Sequence, residues 1–128
     1  MASLIFQFIT ALCVLKHALC FDCANSIPLS GKERGEITLP GVGRGNIYIY
    51  KWSVYADNEW NDIVRKSGGV TAYGNDRYNG RLRPSYSYSL VISNLRVGDS
   101  GTYRAGIVEY DMVYFKCYNL TVAENWVC

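Results

Sequence analysis

Ser89-Leu90-Val91-Ile92-Ser93-Asn94-Leu95-Arg96-Val97-Gly98-Asp99-Ser100-Gly101-Thr102-Tyr103 is the stretch that decides the fold. Its opening residues alternate, so Leu90 and Ile92 fall on one face of a strand and point toward a core. Arg96 to Gly101 is a polar corner, and a second alternating run, Thr102 to Tyr110, leaves it. The pattern repeats along the chain. Ile27–Leu29, Glu36–Leu39, Asn46–Tyr55, Ile63–Arg65, Val70–Tyr73, Arg81–Arg83, Tyr86–Ile92 and Met112–Val122 are the other short runs, divided by Gly, Asn and Asp. Asp57-Asn58-Glu59 reads as a turn. No stretch sustains a helical period. Short strands with turn signals every ~8–12 residues predict an all-β sandwich of two antiparallel sheets.

The totals fit one such domain. The chain has 128 residues, of which 11 are Tyr and 12 are Gly, a composition that favours strands and turns. Thirteen basic and 11 acidic residues leave a net charge of +2. That balance argues against nucleic acid or an anionic membrane as the main partner.

Residues 1–20 read as a signal peptide. Leu4 to Leu15 is a mostly apolar run, and Ala18-Leu19-Cys20 offers small residues where a signal peptidase cuts. The run is too short to span a bilayer, for which about 20 apolar residues are needed. No second apolar run follows. The expected product is residues 21–128, with a core at 27–123, secreted or on the extracellular face of the plasma membrane. The chain reads as a soluble product or as a piece of a longer receptor. Cys23, Cys117 and Cys128 follow the leader, an odd number, so one bridge plus one spare thiol is expected. Cys23 and Cys117 are able to join if the N-terminal strand runs beside the last one. Cys128 is left to link a further domain or a second chain.

Chemistry is sparse. His17, the sole histidine, lies in the leader. There is no nucleophile elbow, phosphate loop or paired metal-ligand motif. The expectation is therefore no enzyme, no cofactor, no metal and no small-molecule substrate.

The Ser89–Tyr103 segment resembles the E strand, E–F corner and F strand of immunoglobulin variable-type domains. On that resemblance Leu95 plugs the lower end of the sandwich, and Asp99-Ser100-Gly101-Thr102-Tyr103 is a tyrosine corner whose hydroxyl bonds back to the backbone. Trp52 takes the place of the strand C core Trp, and Arg81 that of the D-strand Arg that pairs with the corner Asp99. The two cysteine positions of strands B and F fall on Gly41 and Ala105. The bridge between the sheets is thus absent, and with it roughly 4 kcal/mol of restraint on the unfolded chain. Trp52 or Tyr50 is expected to fill the space left. The combination is similar to the membrane-distal domain of the signalling lymphocyte activation molecule (SLAM) family, over residues 27–123. The shared motifs are G-E-I-T-L-P, I-x-x-x-x-W ending at Trp52, Tyr78-Asn79-Gly80-Arg81-Leu82-Arg83, S-L-x-I-S-N-L with D-S-G-T-Y-R-A, and Tyr118-Asn119-Leu120-Thr121-Val122.

With Trp52 inward, alternation turns Ile49, Lys51, Ser53 and Tyr55 outward, and likewise Thr102, Arg104, Gly106 and Val108. The loop that follows carries Tyr110 and Met112. The resemblance implies that this face, formed by strands G, F, C and C′, binds a protein: a related immunoglobulin-type ectodomain or a second copy. A soluble decoy or modulator would use the same face without transmitting a signal. Asn119-Leu120-Thr121 is the one N-glycosylation sequon.

Overall fold

The computed structural model describes residues 23, 25–41, 49–67, 70–85, 88–109 and 112–124. The leader expected at 1–20, Tyr48, Tyr110 and Cys128 lie outside them. Nine strands are present among the described residues: β1 Ile27–Lys32, β2 Ile37–Leu39, β3 Ile49–Ala56, β4 Glu59–Ser67, β5 Val70–Tyr73, β6 Leu82–Pro84, β7 Leu90–Ile92, β8 Gly101–Glu109 and β9 Met112–Ala123. They form a six-stranded sheet, β1-β9-β8-β3-β4-β5, and a three-stranded sheet, β2-β7-β6. Only β1 and β9 pair in parallel; the other neighbours are antiparallel.

Three strands differ from expectation, β1 running on to Lys32 instead of ending at Leu29. β4 is longer than Ile63–Arg65 because the preceding turn is tighter. Asp57 and Asn58 both take positive φ, 54° and 64°, so two residues close a hairpin in which Ala56 faces Glu59. β7 is shorter than Tyr86–Ile92, since Tyr88 takes φ 63° and leaves the extended backbone. A bulge between Trp52 and Ser53 shifts the β3–β4 register. It lets both Ile63 and Val64 be buried in succession.

The core lies between the sheets. Trp52 is wholly buried, and its Nε1 donates to the Tyr88 carbonyl at 3.0 Å. Ala105 faces Trp52 across the β3–β8 ladder, while Gly41 lies two residues past the end of β2. No cysteine stands at either place. Tyr118 of β9, rather than Trp52 or Tyr50 alone, makes the link between sheets there. Its ring lies 6.0 Å from that of Trp52, and its hydroxyl donates to the Pro40 carbonyl beside Gly41. The contact between sheets here is a hydrogen bond and not a covalent bond. Tyr118→Phe should therefore lower stability by about 0.5–1.5 kcal/mol. Urea unfolding of the two proteins checks this, with no change in midpoint as the contrary result.

The lower end is closed by polar contacts. Arg81 Nη1 lies 2.7 Å from Asp99 Oδ2, and Nη2 lies 3.1 Å from Oδ1, a two-pronged pair with both side chains buried. The same guanidinium donates to the carbonyls of Arg77 and Asn94. Tyr103 donates its hydroxyl proton to the Asp99 carbonyl at 2.6 Å. The 2.8 Å contact between the hydroxyls of Tyr78 and Tyr103 must then be donated by Tyr78. Burial pushes both phenols upward from their usual range, with their mutual charge repulsion adding for Tyr103, so both stay protonated as this network requires. Leu95 is buried against β1, where Gly31 makes room: a Cβ there would stand 2.7 Å from Leu95 Cδ1.

Candidate functional site

The outward side of the six-stranded sheet is organised in rows by its register. Cys117, Arg104, Ser53 and Asp62 cross β9, β8, β3 and β4 in one row. Phe115, Gly106, Lys51 and Arg65 form the next, which Ala72 of β5 ends. On the opposite side of Arg104, Asn119 faces Thr102 and Tyr55 faces Trp60.

Ser53 and Arg104 point outward as their alternation requires, yet they are only 1% and 8% exposed. Rings from the flanking rows cover the arginine. The Arg104 guanidinium carbon lies 4.1 Å from the Trp60 ring centroid and 4.5 Å from that of Phe115. A guanidinium at these distances is attracted by the ring faces. Tyr55 meets Trp60 edge-on at 5.2 Å. A continuous strip, Tyr55–Trp60–Arg104–Phe115, therefore crosses the sheet from β4 to β9. Its two ends stay open, with Tyr55 45% and Phe115 39% exposed.

Gly106 is the seat of this strip. A Cβ there would stand 3.3 Å from Phe115 Cε1 and 3.7 Å from Lys51 Cγ. Glycine inside a strand weakens it, and here it lets an aromatic ring and a lysine stem approach the backbone. Beside it, Ser53 Oγ donates to Asp62 Oδ1 at 2.9 Å, and Lys51 Nζ lies 3.6 Å from the same oxygen. Ile49 is partly buried between Val108 and Ser67 in the register. Val108 and Met112 are placed as backbone positions of β8 and β9.

Trp60, Asp62, Arg65 and Phe115 belong to this face and escape the sequence reading. A two-residue hairpin at Asp57-Asn58 puts Tyr55 opposite Trp60, which would have disclosed the tryptophan. Counting back from the buried Tyr118, Leu120 and Val122 turns Phe115, Cys117 and Asn119 outward. Asn119 is exposed, and its Oδ1 accepts from Thr102 Oγ1 at 2.9 Å.

Cys117 is bridged to Cys23, with Cα atoms 5.3 Å apart. The parallel pairing of β1 with β9 makes this possible, since Ile27 lies beside Tyr118. The bridge stands on the outward side of the sheet, next to Arg104 in the row, not between the sheets. Among the described residues no group of three or more His, Cys, Asp or Glu is placed to hold a metal. No helix among them is long and apolar enough to cross a membrane.

No protein-family model matches the chain, and no curated protein sequence matches it. Solved structures do. CD84, of the SLAM family, superposes with a TM-score of 0.67 at 22% identity, covering 79% of this chain and 100% of that one. The first immunoglobulin-like domain of human CD48 gives 0.68 at 18% identity, covering 80% and 86%. The extracellular domain of the voltage-gated sodium channel β4 subunit gives 0.63 at 17% identity, covering 79% and 93%. The chain has the fold of an immunoglobulin variable-type domain, without a bridge between β2 and β8, and it resembles the SLAM-family domains among others.

Proposed function

We propose that the chain is an extracellular recognition or adhesion domain, not an enzyme, that binds another protein through the outward face of the six-stranded sheet. The carrying observation is the Tyr55–Trp60–Arg104–Phe115 strip. It contributes nothing to the core between the sheets, yet it holds two half-exposed rings in fixed positions. Aromatic and arginine side chains are the residues that anchor protein interfaces. The β4 subunit, of the same fold, forms parallel homodimers that explain its role in cell–cell adhesion. The partner here is an immunoglobulin-type ectodomain or a second copy.

The extracellular address rests on the leader read from the sequence at 1–20 and on the Cys23–Cys117 bridge, a bond that persists in oxidising compartments. Asn119 suits a glycan because it is exposed on the same outward side, four residues from Phe115 along β9. Such a glycan would bound the footprint, leaving the strip and the Ile49 end of the sheet for the partner.

Tyr55→Ala and Phe115→Ala should each weaken binding at least ~10-fold, the size expected of an interface anchor. Surface plasmon resonance against purified cell-surface ectodomains, this domain included, supplies the measurement. Thermal unfolding should stay cooperative in both variants. Undiminished binding by both variants would remove the face from consideration.

A further inference from the structure

One pair on this face is unfavourable to the sheet that carries it. Lys51 of β3 and Arg65 of β4 are directly opposite each other, on the outward side, in the row of Gly106 and Phe115. Like charges directly opposite across two strands destabilise the pairing. Lys51 is partly compensated by Asp62 at 3.6 Å, but Arg65 has no carboxylate partner among the described residues. Asp62 is already engaged by Ser53. Lys51 and Arg65 thus share one carboxylate among the described residues.

We propose that Lys51 and Arg65 form a carboxylate-receiving site at the centre of the face. The partner is a different protein, one that presents an acidic sheet face, and not a second copy of this chain. This rests on the proposed use of the outward face and names the class of partner it takes. Charge complementarity decides between the two occupants. Two copies brought face to face set the Lys51–Arg65 pair of one against the same cations of the other, and like-charge juxtaposition suppresses such pairing. An acidic face instead supplies what the Lys51–Arg65 pair lacks. The guanidinium of Arg65 matches a carboxylate with two parallel hydrogen bonds. Lys51 brings a second charge alongside, and Phe115 gives the contact an apolar flank. A cross-strand repulsion relieved only in the complex favours the bound state.

The test uses the purified, disulfide-bonded domain against a panel of immunoglobulin-type ectodomains, half with acidic and half with basic sheet faces. Wild type should bind within the acidic half, with affinity falling about tenfold as salt rises from near 50 mM to near 300 mM. It should sediment as a monomer. Arg65→Glu should lose that binding at least tenfold while its melting temperature holds or rises, because Lys51 then faces a glutamate. A positively charged residue kept for stability alone would give the opposite movement in melting temperature. Self-association abolished by Phe115→Ala, binding to basic faces, capture by heparin with no acidic ectodomain bound, or no binding at all to the acidic half each overturns the proposal. The two readings fail separately. If Tyr55→Ala and Phe115→Ala abolish binding but Arg65→Glu does not, only the acidic partner is wrong. If the ring variants bind as wild type does, the face itself is wrong.

Discussion

Replacing Asp99 by alanine is expected to destabilise the domain by about 3–5 kcal/mol, the loss that follows when one member of a buried ion pair is removed. The reason lies less in the attraction lost than in the charge left behind. Arg81 is 6% exposed, and its guanidinium is held in place by Arg77, Asn94 and Asp99. Without Asp99 those carbonyls still accept hydrogen bonds, but no anion balances the cation. The variant also loses the acceptor for the Arg96 N–H at the start of the corner, a bond of 2.9 Å. Tyr103 keeps its own acceptor, because that is the backbone carbonyl of residue 99. Adding Arg81→Met to Asp99→Ala should recover part of the loss by removing the stranded charge. Urea unfolding of wild type, single and double variants measures all three values. A shift below about 1 kcal/mol for the single variant would show that solvent reaches the pair.

The same pair sets a pH dependence. Burial pushes the Asp99 carboxyl upward, but the Arg81 and Arg96 hydrogen bonds, with the charges of Arg81 and Arg77, outweigh it and hold it below its usual value of 3.8. A carboxyl lowered in the folded state contributes stability that is fully present above its unfolded value. That stability is lost as pH falls from about 4 through the lower folded value. Asp99→Asn should be less stable at neutral pH and should show a flatter acid limb, measured as unfolding midpoint against pH.

What the sequence discloses and what it hides divide along physical lines. Strand alternation depends on near neighbours, so the inward set of Tyr50, Trp52 and Val54 and the corner through Tyr103 can be read directly. The Gly41 and Ala105 positions show that a bridge is missing, because the pattern around them is otherwise intact. Which ring then links the sheets depends on Tyr118, seventy-eight residues from the carbonyl it meets, and no spacing rule reaches that far. The outward face shows the same limit. Arg104 reads as an exposed cation, since alternation gives direction but not cover. Its burial comes from Trp60 and Phe115 on two other strands, brought over it by a tight hairpin and a seat at Gly106. A charge reversal at Arg104 would therefore disrupt the strip and would not report on a partner alone. Lys51 and Arg65 are the cleaner probes.

Removing the Cys23–Cys117 bridge should lower stability by about 2–5 kcal/mol, through the unfolded chain more than through the core. The two cysteines are 94 residues apart in sequence, so the bridge encloses nearly all of the folded domain. In the chain-entropy account a loop of that length restrains the unfolded state by roughly 4–5 kcal/mol. A bridge between Gly41 and Ala105 would close a shorter loop and stand against Trp52. Here the covalent restraint lies on the outward side of β9, and the core is completed by Tyr118 and the wholly buried Trp52. The consequence separates two effects that coincide when the bridge is in the core. A Cys23→Ser, Cys117→Ser variant should unfold at a lower urea concentration, yet keep the near-ultraviolet circular dichroism of its buried aromatics. Hydrogen exchange should change unevenly. The β1 amides, tied to β9 by the parallel ladder just beyond the bridge, should lose more protection than those of β3 or β7. Uniform loss of protection, or collapse of the aromatic signal, would mean that the bridge supports the core itself. Retained protection with an unchanged midpoint would mean that the Tyr118 link and the Arg81–Asp99 pair already suffice.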